Sequence, residues 1–137
     1  MKTYTLALDE IDTIVKDIAK EFKSGVVILR GDLAAGKTTF VKKMALYLGS
    51  DEEVTSPTFS LQHTYSKNIF HYDMYNHGLE HFISLGMLEE LERDGIHFVE
   101  WGDDRLIEIL SEAGIDVMSI DIEKIPNNKR GYKACMY

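Results

Sequence analysis

The densest chemistry in the chain lies in eight consecutive residues, Gly31-Asp32-Leu33-Ala34-Ala35-Gly36-Lys37-Thr38. They fit the pattern G-x-x-x-x-G-K-[ST] in full, between an apolar run and a helical pattern, which is the context the motif requires. Glycines let the backbone curl so that several N–H groups converge on one anion at a helix N-terminus. A lysine at position 37 reaches the β- and γ-phosphates of a nucleotide as a point charge. A hydroxyl at position 38 serves Mg²⁺, which keeps most of its waters and takes few protein oxygens. A chance match in a chain of this size has a probability of about half a per cent. The spacing therefore predicts nucleotide binding. A guanine-reading N-K-x-D segment is not matched by Asn128-Lys129-Arg130-Gly131, and that favours ATP.

A phosphate loop that hydrolyses its nucleotide needs a carboxylate near the ion. Asp73 closes the run Ile69-Phe70-His71-Tyr72-Asp73, and Glu100 closes Ile96-His97-Phe98-Val99-Glu100. Both stand at the ends of predicted strands, where ligands of open α/β sheets gather. Each has a plainer reading as a solvent-facing loop carboxylate or a helix cap. Thr55-Ser56-Pro57-Thr58-Phe59 is a hydroxyl-rich loop stiffened by proline; it suits a γ-phosphate sensor or a simple strand-entry turn. His63, His71, His77, His81 and His97 lack the companions of a zinc-protease spacing, although His77 and His81 are four apart. Trp101 is either a core aromatic or a wall of the nucleotide site.

Predicted elements position these residues. Tyr4–Leu8 alternates like a strand, and Asp9 is placed to cap a helix from Glu10 to about Phe22. Val26-Val27-Ile28-Leu29 is an unbroken apolar run, the pattern of a strand buried on both faces. A helix over about Lys37–Leu48 ends at Gly49. Strands are expected at Phe59–Tyr65 and Ile69–Asp73, then helix over Leu79–Arg93 with a break near Gly86, where Leu85, Met87, Leu88 and Leu91 read as core. Ile96–Glu100 is a further strand. Asp103 or Asp104 caps a short helix to Ser111, and Asp116–Glu123 and Tyr132–Met136 read as late antiparallel strands. The order predicts one α/β domain over residues 1–137, with a mixed, mostly parallel sheet flanked by helices.

Composition limits the partners. Fifteen Lys+Arg against 23 Asp+Glu give a formal charge of −8, and the arginines are only Arg30, Arg93, Arg105 and Arg130. An unaided clamp on DNA or RNA requires clustered positive charge. No run approaches the roughly 18–20 apolar residues that span a bilayer, and the first residues carry no hydrophobic signal segment. Cys135 is the lone cysteine, so no internal disulfide forms. The expectation is a cytoplasmic protein that contacts neither membrane nor DNA.

Taken in order, these segments resemble the TsaE (YjeE) family, small bacterial P-loop ATPases needed to make threonylcarbamoyladenosine in tRNA. The resemblance runs from about Asp9 to Glu123. It comprises Asp9-Glu10-Ile11-Asp12-Thr13, the loop from Gly31 to Thr39, Ser56-Pro57-Thr58-Phe59, His71–Tyr75, and Glu100-Trp101. It implies that Gly31, Leu33, Ala34, Ala35, Gly36, Lys37, Thr38 and Thr39 hold the nucleotide, with Thr38 and Glu100 on Mg²⁺. Asp73 is implied beside the γ-phosphate, as base or water-positioning group. Ser56 and Thr58 become the sensing loop, Trp101 packs by the site, and Glu10 borders the adenine together with a Lys129-Arg130 turn. The resemblance further implies an ATPase, slow alone, that docks on a TsaB–TsaD complex and meets tRNA only through it. Ala34, Asn76 and Gly102 depart from the family's usual glycine, arginine and proline. Other classes with a phosphate loop are a small-molecule kinase, for which four arginines leave little lid, and a nucleotide-dependent switch that does not hydrolyse.

Overall fold

The computed structural model describes residues 1–32, 35–50, 62–76 and 78–137. Leu33, Ala34, Ser56, Thr58, the rest of the 51–61 segment and His77 lie outside the described residues. The elements follow in the order β1 (Lys2–Ala7), α1 (Asp12–Glu21), β2 (Gly25–Arg30), α2 (Lys37–Tyr47), β3 (Gln62–Tyr65), β4 (Ile69–Asp73), α3 (Leu79–Ser84), α4 (Met87–Glu90), β5 (Ile96–Glu100), α5 (Asp104–Glu112), β6 (Val117–Ile125) and β7 (Lys129–Met136). Among the described residues the strands form one sheet in the order β1-β7-β6-β2-β5-β4-β3. The four central strands β6, β2, β5 and β4 run parallel, and β3, β7 and β1 join antiparallel.

The unbroken apolar run of β2 is explained by two covered faces. Val27 and Leu29 pack with Ile14, Val15 and Ile18 of α1 and with Phe40, Val41 and Met44 of α2. Val26 and Ile28 face the other way, against Leu106, Ile107 and Leu110 of α5 and Phe82 of α3. Each such fully buried side chain contributes about 1.5–3 kcal/mol. The two layers thus pin β2 from both sides, and the loop that follows it inherits a fixed origin.

Some local expectations change. A short 3₁₀ turn, Leu8–Glu10, precedes α1, and the backbone N–H of Ala7 donates to Glu10 Oε1 at 2.9 Å. The longer glutamate side chain reaches back three residues to close that turn, so the cap predicted for Asp9 is not used. Leu85 is 49% exposed rather than core, because the break at Gly86 (φ 77°) turns it outward; Leu91 is buried. Asp103 is the cap of α5, its Oδ1 accepting from the Leu106 N–H at 2.9 Å. Finally, β6 and β7 extend further than their apolar patterns. Asn127 and Asn128 both adopt positive φ, which closes a tight hairpin and draws Lys129 and Arg130 into β7 instead of a turn.

Candidate nucleotide site

The C-terminal ends of β2, β4 and β5 meet at a cleft of about 800 Å³. Parallel register sets Glu100 beside Leu29 on one side and Asp73 on the other, so carboxylates distant in sequence converge where the phosphate loop leaves β2. The ladder continues past the strand ends: Trp101 N–H donates to Leu29 O, and Met74 N–H to Glu100 O. Trp101 holds φ 69°, a left-handed conformation that costs a non-glycine residue about 1–2 kcal/mol. That twist sets its indole along the cleft wall, 4.8 Å from the Tyr75 ring.

Two glycines shape the loop for different reasons. Gly31 has φ 151°, and a Cβ there would lie 2.3 Å from the Ile122 carbonyl oxygen of β6. The loop begins flush against that strand, and no side chain fits between. Gly36 has φ 112° and precedes α2, but a Cβ there would meet nothing within 4 Å. It stands at the start of the helix, where the first backbone N–H groups have no acceptor within the helix.

Lys37 is only 4% exposed, yet its ammonium is partnered. Nζ donates to the carbonyls of Gly31 and Asp32, both at 2.8 Å, and lies 4.1 Å from the centre of the Trp101 ring. Burial pulls the lysine below its ordinary pKa, while the carboxylates of Glu100, Asp73 and Asp32 oppose that shift. The site therefore already holds a cation whose backbone partners are exchangeable for an anion. Thr38 Oγ1 donates to Glu100 Oε2 at 2.9 Å. This hydroxyl–carboxylate pair is the hard, oxygen-only set that suits Mg²⁺ bound jointly with phosphate oxygens. Among the described residues no group of three or more His, Cys, Asp or Glu side chains is arranged to cage a metal. Asp73 lines the same cleft, with Oδ1 accepting from the Tyr75 N–H at 2.8 Å.

The predicted residues Ala35, Gly36, Lys37, Thr38, Thr39, Asp73, Glu100 and Trp101 thus share one cleft. Gly31 borders a separate groove behind the loop, formed with Ile122, Glu123 and Lys124. Glu10 is occupied by its own turn, and Leu8 is the residue of that turn lining the cleft. Tyr75, Asn76, Asn128, Arg130 and Tyr132 complete the wall. Of these, Arg130 ties β7 to the phosphate loop, its Nε donating to the Ala35 carbonyl at 3.0 Å. His71 stands in the sequence among the histidines and in the His71–Tyr75 segment without a partner; its contact with Glu100, at 2.5 Å, depends on strand register. Period-two spacing, which sets His71 and Asp73 on one face of β4, is the signal that carries it.

A family profile described as "Threonylcarbamoyl adenosine biosynthesis protein TsaE" matches residues 6–132. The chain is 44% identical over 94 residues to the tRNA threonylcarbamoyladenosine biosynthesis protein TsaE of Treponema pallidum (strain Nichols), a match covering 66% of this chain and 68% of that protein. With the protein so named in Bacillus subtilis (strain 168) it shares 34% identity over 139 residues, covering 93% and 87%. The crystal structure of Bacillus subtilis YdiB superposes with a TM-score of 0.64 at 28% identity, covering 96% of this chain and 83% of that one. The fold is that of the P-loop NTPases.

Proposed function

The chain belongs to the TsaE family, whose role is tRNA threonylcarbamoyladenosine biosynthesis, and on that premise we propose that it is a Mg²⁺-dependent ATPase serving this modification. The observation that carries the reading is the Thr38–Glu100 hydrogen bond beside the buried Lys37 ammonium at the start of α2. A phosphate loop without a carboxylate on its threonine binds anions; one with it is equipped for a metal–nucleotide complex.

Each residue has a distinct task. Loop N–H groups and Lys37 hold the β- and γ-phosphates, with Lys37 exchanging the Gly31 and Asp32 carbonyls for phosphate oxygens. Thr38 and Glu100 would hold Mg²⁺, which when bound would neutralise charge developing on the phosphate oxygens. Asp73 aligns the attacking water and accepts its proton. The oxygen of that water bonds to the γ-phosphorus, the bond to the β–γ bridging oxygen breaks, and ADP and phosphate leave. Trp101 and Tyr75 exclude bulk water from one side, which strengthens the electrostatics inside. Leu8, Asn128, Arg130 and Tyr132 border the other side, which is left for the adenine and ribose.

The proposal extends to partners. With a net charge of −8 the chain is a poor clamp for RNA, so tRNA contact falls to a TsaB–TsaD complex on which this protein docks in the cytoplasm. Hydrolysis then permits repeated turnover of that complex. Among the described residues no helix is long and apolar enough to cross a membrane. The test is Mg²⁺-dependent ATP turnover by the purified chain, alone and then with TsaB–TsaD and tRNA. Slow turnover that rises with the partners is expected. ATP binding with no turnover in either condition refutes the enzyme and leaves a nucleotide-dependent switch.

A further inference from the structure

Beyond the phosphate loop and its carboxylates, the cleft has a buried support that the motif pattern leaves without a task. We propose that His71 is a positioning residue for Glu100, fixing the carboxylate so that it and Thr38 present one preformed metal-binding pair. The inference rests on the nucleotide-site reading above and deepens it.

His71 is fully buried in β4, whose flanking residues Phe70 and Tyr72 are buried too. Its Nε2 lies 2.5 Å from Glu100 Oε2, the oxygen that also accepts from Thr38 at 2.9 Å. A carboxylate only accepts, so Nε2 carries the hydrogen. The other ring nitrogen, Nδ1, is buried with no hydrogen-bond partner. Leaving a buried polar atom unmatched costs about 1–3 kcal/mol, a cost an apolar side chain would avoid. The nitrogen that is matched therefore explains why an imidazole stands here, and its target is the carboxylate.

The geometry has a consequence for metal binding. Once the Thr38 hydroxyl turns to a cation, its hydrogen bond to Glu100 is weakened or lost. His71 then keeps Oε2 from swinging away, and the ordering of that carboxylate need not be supplied by the binding event. Removing such an outer support typically weakens metal affinity 10–100-fold.

The test compares His71→Gln with His71→Asn in the full chain. Both fill the site with an amide, but Gln sets its NH₂ near the reach of Nε2 while Asn stops at the reach of Nδ1. Two affinities are measured for each: Mn²⁺ at saturating ADP by electron paramagnetic resonance, and ADP in EDTA by the fluorescence of Trp101, the only tryptophan. The expected result is a 10–100-fold rise in the Mn²⁺ dissociation constant for His71→Asn. His71→Gln should stay within about threefold of the parent, and ADP affinity in EDTA should stay within about twofold throughout. A purely structural role would lower the melting temperature of both variants and leave the Mn²⁺ constant unmoved. Parent-like Mn²⁺ affinity in His71→Asn, or an equal loss in His71→Gln, overturns the proposal. A parent chain that binds no ADP refutes the nucleotide site itself, a result distinct from either of these.

Discussion

Alanine at the two structured glycines of the phosphate loop separates what the fold needs from what the ligand needs. Both residues have positive φ, so either substitution carries a backbone cost of about 1–2 kcal/mol. At Gly31 the new Cβ would sit 2.3 Å from the Ile122 carbonyl oxygen, about 1 Å inside the ~3.3 Å of a close carbon–oxygen contact. That oxygen belongs to β6 and cannot rotate away, so the overlap adds about 3 kcal/mol, the upper end for overpacking. At Gly36 the Cβ meets nothing within 4 Å, and no steric term is added. For a chain of 137 residues, 1 kcal/mol moves the melting temperature by roughly 3–4 °C. Gly31→Ala should therefore lower it by about 15 °C, and Gly36→Ala by about 5 °C. Function should respond in the opposite sense if, as proposed, the phosphates sit at the start of α2, because the new methyl would occupy the open space at Gly36. Gly36→Ala should keep its fold and lose at least about tenfold in ADP affinity, on the order of one misplaced anion contact. Calorimetry in parallel with ADP titration checks both. Equal melting shifts in the two variants would refute the steric argument, and undiminished ADP affinity in Gly36→Ala would refute the cradle.

Other outcomes follow from single contacts. Lys37→Ala and Glu100→Ala should each abolish reconstituted tRNA modification while leaving a folded chain by circular dichroism; normal modification by either contradicts the site. His97 is held below its ordinary pKa of 6.5 chiefly by burial, with its Nε2–H donating to the Arg93 carbonyl and Nδ1 facing the Tyr72 hydroxyl. Below that value the unfolded chain takes up the proton more readily, so stability falls as pH falls from 6.5 toward the folded pKa. Melting curves between pH 7.5 and 5.5 should show a smaller acid-induced drop in His97→Gln than in the parent. Asp103→Ala removes the cap of α5 and should cost about 1 kcal/mol with ADP affinity unchanged; a loss of affinity would mean that α5 supports the site directly.

Legibility in the sequence tracks how local the determining physics is. The parallel centre was readable because Val26–Leu29 carries one message at every position, an apolar strand with both faces covered, and Ile96–Glu100 is a second strand run despite its His97 and Glu100. The β6–β7 hairpin was readable only in part. Its outer ends, Lys124-Ile125 and Lys129-Arg130, are not buried in the core, and their pairing depends on the conformation of Asn127 and Asn128. Leu85 was misassigned because helical periodicity does not reveal that Gly86 redirects the chain.

The site divides along the same line. Lys37 and Thr38 declare themselves because the whole motif that carries them is eight consecutive residues, and Lys37 finds its partners within it. Asp73 and Glu100 were visible as acids at predicted strand ends, but a solvent-facing loop carboxylate or a helix cap read equally well there. What no spacing rule supplies is that β4 and β5 run side by side in parallel, with Asp73 opposite Glu100. Only that register brings a histidine two residues earlier onto the glutamate, so that His71 contacts Glu100 as well as filling the core. Sequence separation is 29 residues for that pair and 62 for Glu100 with Thr38, so a single oxygen of Glu100 joins three segments of chain. A carboxylate held from two strands and a helix N-terminus is ordered before any ligand arrives. In that arrangement Glu100 and Thr38 reach the same cleft from different parts of the chain without either needing to move across it.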